Sequence, residues 1–143
     1  MKKFIALLLA LVMVLSLAAC GGSKTEAPAD APADAPAGDI EIAVVLKTLA
    51  SEYWGYVKNG CDQADEELGI KVTVVGPGAE SDIEGQVSMI EQQIGAGCDA
   101  IVCAPNDAGA AGNALQAALD QGIPVLAVDT NVGIEGQTSF VGT

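Results

Sequence analysis

Apolar positions along the chain fall into short dense runs separated by longer amphipathic stretches. The runs 40–46 (IEIAVVL), 70–75 (IKVTVV), 100–103 (AIVC) and 123–128 (IPVLAV) are rich in β-branched residues, which predicts strands buried on both faces of a parallel sheet. Between them the spacing becomes helical: Trp54, Val57, Cys61, Ala64 and Leu68; then Ile83, Val87, Ile90 and Ile94; then Ala111, Ala114, Leu115, Ala118 and Leu119. Each set draws one apolar stripe down a helix. Ser81-Asp82-Ile83-Glu84 reads as a capping box opening the second helix, and Gly69, Gly97 and Gly122 each follow a helix and precede a strand. Strand starts near 40, 70, 99 and 123 fit right-handed βαβ crossovers. The expected fold is α/β, three-layer αβα, with a mainly parallel, doubly wound (Rossmann-like) sheet, and 139–141 predicts a fifth strand.

The chain ahead of the first strand is of another kind. Lys2 and Lys3 precede an uncharged apolar run, 4–19, that is shorter than a comfortable membrane span and ends in Leu17-Ala18-Ala19-Cys20. Residues 1–19 therefore read as an export signal. From 21 to 38 the chain is small, polar and punctuated by prolines in an approximate four-residue repeat, Ala27-Pro28-Ala29-Asp30 and onward. Such a segment cannot build a core. In polyproline II geometry it would reach up to roughly 55 Å, so 20–38 reads as a tether, leaving 39–143 as one compact domain.

Charge narrows the function classes. The whole sequence has 19 acidic residues against six lysines, no arginine and no histidine, for a net charge of −13. A phosphate-binding surface needs clustered cations, so nucleic acid is not an expected partner. Without histidine, the usual acid–base group near neutral pH and the commonest metal ligand are both missing; no metal site, cofactor or catalytic residue is expected. Cys61, Cys98 and Cys103 have no metal-type spacing and are expected to be small buried hydrophobes rather than a disulfide.

In an open parallel sheet, ligands gather beyond the carboxyl ends of the strands. Four loops reach that rim: 47–53, 76–81, 104–107 and 129–133. The first is the most informative, because three of the five aromatics in the sequence, Tyr53, Trp54 and Tyr56, fall within four residues. Tyr56 lines up with the solvated side of its helix. Tyr53 can reach the sheet mouth, and flat rings at a pocket rim suit sugars. The competing reading is a helix end stapled to the core by large side chains. Asp129 follows the fourth strand directly and can accept hydrogen bonds from adjacent hydroxyls, with a turn or cap role as its competitor. Pro105-Asn106-Asp107 reads as a turn with Asp107 as the next N-cap. The loop 76–81 is glycine-rich but has no Gly-Lys-Ser/Thr ending, and Glu80 and Asp82 stand where an anion would lie, which argues against a phosphate loop.

Taken together, IAVVLKTLASEYWGYVKNG, GCDAIVCAPNDAGA, ALDQGIPVLAVDTNV and the ending SFVGT resemble the N-terminal lobe of the type I periplasmic binding proteins, in particular the ribose-like sugar-binding components of ABC transporters. The resemblance covers nearly all of 40–143. It implies one lobe of a two-lobed clamp, with the second lobe lying beyond this chain. It also implies ligand contacts at Lys47, Ser51, Tyr53, Trp54, Asn106, Asp129 and Thr130. In the family the fourth loop often reads Asp-Arg, whereas here Thr130 follows Asp129, which removes a five-donor fork and leaves the sugar open. The segment ending at Cys20 resembles the lipobox of bacterial lipoproteins, in which that cysteine is acylated and becomes the membrane anchor.

The expectation is thus a non-enzymatic, membrane-anchored, exported protein that captures a monosaccharide or similar small molecule and delivers it to an ABC transporter permease. The alternative keeps the domain and makes it a co-receptor reporting ligand to a signalling kinase or chemoreceptor. An exported enzyme using Asp129 with Cys103 or Lys47 is disfavoured, because no histidine is available to activate a thiol and an acid-poised carboxylate would have to come from burial alone.

Overall fold

The computed structural model describes residues 40–142; the segments read from sequence as an export signal and a tether, with Cys20 between them, lie outside the described residues. The elements run β1 (Glu41–Val45), α1 (Glu52–Leu68), β2 (Lys71–Val75), α2 (Ile83–Ala96), β3 (Ala100–Cys103), α3 (Ala108–Asp120), β4 (Val125–Val128) and β5 (Ser139–Val141). The five strands form one sheet in the order β2-β1-β3-β4-β5, every neighbouring pair parallel. Strand order reverses beside β1, between its neighbours β2 and β3, so this is a doubly wound sheet with a switch point at the carboxyl end of β1.

Because successive strand residues face opposite sides, the core divides in two. Ala43, Val45, Ile101, Cys103 and Val125 point to one face and are buried under Ile90 of α2 and Ala111, Leu115 and Ala118 of α3. Val44, together with Leu46 and Ala104, points to the other and packs on Trp54 of α1, with Val57, Cys61, Val72, Val74, Val102 and Val128 around it. The three-layer architecture expected from the strand and helix order is therefore present. Cys61, Cys98 and Cys103 are all free thiols, Cys98 and Cys103 buried, and burial pushes the Cys103 thiol up to about 12.

Two local expectations need correction. The N-cap of α2 is Asp82, not Ser81: its carboxylate accepts from Gly85 N at 3.0 Å, while Gln86 N makes the first helical bond to Asp82 O. With the cap one residue later, Glu84 is too close to reach back, so there is no Ser81–Glu84 capping box. The fourth strand starts at Val125 rather than Ile123, since Pro124 has no N–H to give the ladder, although its carbonyl still accepts from Ile101 N. The glycine joints hold as expected, with Gly69, Gly97 and Gly122 all at positive φ. Asp107 caps α3 by accepting from Ala110 N at 2.7 Å.

Candidate functional site

On the α1 face of the sheet, α1 and the strands β3, β4 and β5 enclose a hollow of about 430 Å³ that reaches the carboxyl ends of β4 and β5 and is lined by Tyr53, Trp54, Val57, Cys61, Val102, Val128, Asp129, Val141 and Gly142. The first and fourth loops thus meet in one space. Trp54, 4% exposed, forms its floor; the adjoining Tyr53, 58% exposed, stands edge-on to it at 4.9 Å between ring centroids and 84° between planes. The two neighbours differ: Trp54 staples α1 to the sheet, and Tyr53 keeps an exposed ring. The indole N–H donates to Glu80 Oε1 at 3.1 Å, so loop 76–81, discounted as an anion cradle, instead fixes the aromatic floor. Loops 47–53 and 76–81 also run close together, and a Cβ on Gly76 would come within 3.1 Å of Leu46 O.

Asp129, at the edge of the hollow, closes a triangle with Lys47 and Thr130, which lie outside the lining. Lys47 Nζ lies 2.7 Å from Asp129 Oδ2 and donates to Thr130 Oγ1 at 2.9 Å, while the Thr130 hydroxyl donates to the same Asp129 oxygen at 3.0 Å. These contacts leave Asp129 Oδ1 out. The bond from Lys47 holds the Asp129 carboxyl below its ordinary value, against a smaller opposing effect of burial, and Thr130 adds to the lowering. Asp129 is also the one non-glycine residue among those described with a left-handed backbone, φ 62°. That conformation costs a β-carbon-bearing residue about 1–2 kcal/mol, although Asp tolerates it better than most, and such strain concentrates where side chains are held for a task.

Of the residues singled out from sequence, Tyr53, Trp54 and Asp129 line the hollow, whereas Lys47, Thr130, Ser51 and Asn106 do not. Ser51 is the N-cap of α1 through its backbone, its side chain making no cap bond. Asn106 lies outside the lining: its Nδ2 donates to Lys47 O at 3.0 Å and its backbone N–H to Gln86 Oε1 at 2.8 Å, while its Oδ1 is buried with no hydrogen-bond partner. Asn106 touches the site through Lys47.

Gln86 was not singled out by the sequence reading. It is 1% exposed, and its amide donates to both Leu46 O (3.0 Å) and Ala104 O (2.9 Å). The signal was present, since Gln86 falls three residues after Ile83 and four before Ile90, on the apolar stripe of α2, where a polar side chain must find partners. Glu80 left no comparable sign.

The described residues contain no cluster of three or more His, Cys, Asp or Glu that could hold a metal ion, and no helix among them is long and apolar enough to cross a membrane.

Comparison with known proteins bears on the family of the chain. The family model described as periplasmic binding protein domain matches residues 42–143. The ribose import binding protein RbsB of Bacillus subtilis is 30% identical over 131 residues, covering 90% of this chain and 41% of that protein. The D-ribose/D-allose-binding protein of Pseudomonas aeruginosa is 36% identical over 90 residues, 62% of this chain and 28% of that protein. Among solved structures, an ABC transporter solute-binding protein from Agrobacterium vitis with bound D-fucose superposes with a TM-score of 0.67 at 36% identity, covering 72% of this chain and 37% of the other. One from Actinobacillus succinogenes with bound D-allose gives 0.63 at 30% identity, covering 68% and 34%. The chain thus spans less than half the length of the curated relatives it matches.

Proposed function

The chain belongs to the periplasmic binding protein domain family, and on that premise we propose that it contributes one sugar-contacting lobe to an exported solute-binding protein of an ABC-type uptake system. The observation that carries this reading is the hollow itself, whose lining includes both the exposed ring of Tyr53 and the Asp129 carboxylate, held below its ordinary pKa by Lys47 and Thr130. A pyranose or furanose has the matching two-sided chemistry: C–H faces that pack on a ring, and hydroxyls that donate to Asp129 Oδ1. The bound sugars named for its structural relatives, D-allose and D-fucose, set the size class.

On this reading Tyr53, Trp54, Asp129, Lys47 and Thr130 form the ligand wall, with Ser51 and Asn106 shaping the loops that carry it. No bond of the ligand is broken. Cys20 is proposed to carry a lipid anchor and 21–38 to act as the tether, holding the lobe outside the cytoplasm near its permease.

The test is to express the protein from its full reading frame and titrate D-ribose, D-allose, D-arabinose and D-fucose while following Trp54, the single tryptophan of the sequence. Saturable change with at least one sugar, lost in Asp129→Asn, is the expected result. No saturable change with any of the four, by fluorescence or calorimetry, would sink the proposal. Anchoring has its own readout, since metabolic labelling with a palmitate analogue should disappear in Cys20→Ser.

A further inference from the structure

We infer that Gln86, buried in α2 and outside the lining of the hollow, is the positioning residue that aligns Lys47 with Asp129. The inference starts from a feature that core packing does not require. Gln86 occupies an apolar stripe position where leucine or methionine would fill the volume, yet it spends its whole amide on the sheet rim. Its two N–H groups hold Leu46 O and Ala104 O, the residues just past the ends of β1 and β3, and its carbonyl holds Asn106 N–H. One side chain therefore fixes two adjacent strand exits at the switch point of the sheet.

From there a continuous chain of bonds runs to the site. Asn106, fixed through its backbone, aims Nδ2 at Lys47 O; Lys47 Nζ then meets Asp129 and Thr130. The orientation of Asn106 is informative. Its Oδ1 is left buried without a partner, and turning the amide over would set that oxygen against Lys47 O instead. The arrangement accepts an unpaired acceptor in order to keep a donor on Lys47, and an unpaired buried acceptor is a cost that packing alone would avoid. Gln86 also sits directly after Leu46 O in this sequence of contacts, so Lys47 is held on both sides of its peptide: Leu46 by Gln86, and its own carbonyl by Asn106.

The role proposed for Gln86 as an aid to ligand binding rests on the sugar-binding reading above, but its effect on Asp129 does not, and this separates the two tests. The first measurement needs no ligand: the Asp129 carboxyl carbon is followed by NMR across the acid range in the full protein, in Gln86→Met and in Ile90→Val. Ile90 is buried one turn away on the same helix and touches none of these bonds, so it reports what simple loosening of the core does. Gln86→Met should move the Asp129 titration up toward the ordinary carboxylate value, as Lys47 loses its fixed approach, whereas Ile90→Val should leave it in place. Should Gln86→Met fail to fold, Asn106→Ala cuts the same chain one step later while keeping the three Gln86 bonds, and should move Asp129 in the same direction. The second measurement is affinity for whichever of the four sugars binds, expected to fall about 10-fold in Gln86→Met, equivalent to ~1.4 kcal/mol, and to be unchanged in Ile90→Val. An Asp129 titration identical in wild type, Gln86→Met and Asn106→Ala would overturn the inference. If instead no sugar binds wild type while the titration moves as stated, the sugar reading fails and the positioning role of Gln86 stands.

Discussion

Lys47 and Asp129 come from loops 82 residues apart in sequence and meet at 2.7 Å, which makes their pair a sensitive probe of the site. The folded Asp129 is held below its unfolded value of about 3.9, chiefly by the Lys47 bond. A depressed carboxyl contributes stability that is fully present above the unfolded value and is lost as pH falls from there through the folded one. Lys47→Met should therefore cost stability near neutral pH, by no more than ~1 kcal/mol because both side chains reach solvent. The gap between variant and wild type in urea unfolding should close as the pH is lowered through that acid window. A gap that stayed constant down to the lowest pH would mean that Lys47 acts by packing of its stem rather than by charge. At this scale the sequence was partly legible. Tyr53 and Asp129 announced themselves, one by clustering with other aromatics and the other by standing at a strand exit. The burial of Trp54 also followed from its place on the apolar stripe, but the partner of Asp129 did not, because it depends on where a lysine from another loop arrives.

Among the elements, strand positions and helix faces followed closely from the sequence because β-branched runs and apolar stripes report burial directly, and parallel crossovers admit few topologies. Helix ends were less legible, since a cap is decided by one backbone turn. At the start of α2 the sequence offers Ser81 and Asp82 side by side, and the structure selects Asp82, whose carboxylate reaches Gly85 N while Asp82 N closes a turn on Ala79 O. The two choices separate experimentally. Asp82→Ala should destabilise the domain by ~1 kcal/mol, the usual cost of an N-cap, whereas Ser81→Ala should shift the urea midpoint by nothing measurable. Equal losses in the two variants would return the capping box to consideration. The position of this cap matters beyond stability, because α2 presents Gln86 to the sheet rim from its first turn, and fraying there would loosen Leu46, Ala104 and Asn106 together.

For the molecule as a whole, charge is the dominant unspent quantity. The three lysines after the tether, Lys47, Lys58 and Lys71, are each paired, with Asp129, Asp62 and Glu41, so the acidic excess of this region is met by no free cation among the described residues. Two opposing effects of salt follow. Screening weakens three ion pairs that are each worth about 0–1 kcal/mol at the surface, and it also weakens repulsion among a net 13 negative charges. Repulsion should win, because it acts over many pairs within a Debye length of roughly 30 Å at 0.01 M, while the pairs are few and exposed. The urea midpoint should thus rise between 10 mM and 300 mM sodium chloride, concentrations chosen to take the screening length from about 30 Å to well below 10 Å. The same field bears on ligand choice: a neutral monosaccharide should bind with little dependence on salt, and its phosphate ester should be repelled at low salt by a wall that already holds an ionised Asp129 beside one lysine. Tighter binding of the phosphate than of the neutral sugar would show that Lys47 leaves Asp129 to meet the ligand, and would reverse the polarity assigned to the hollow.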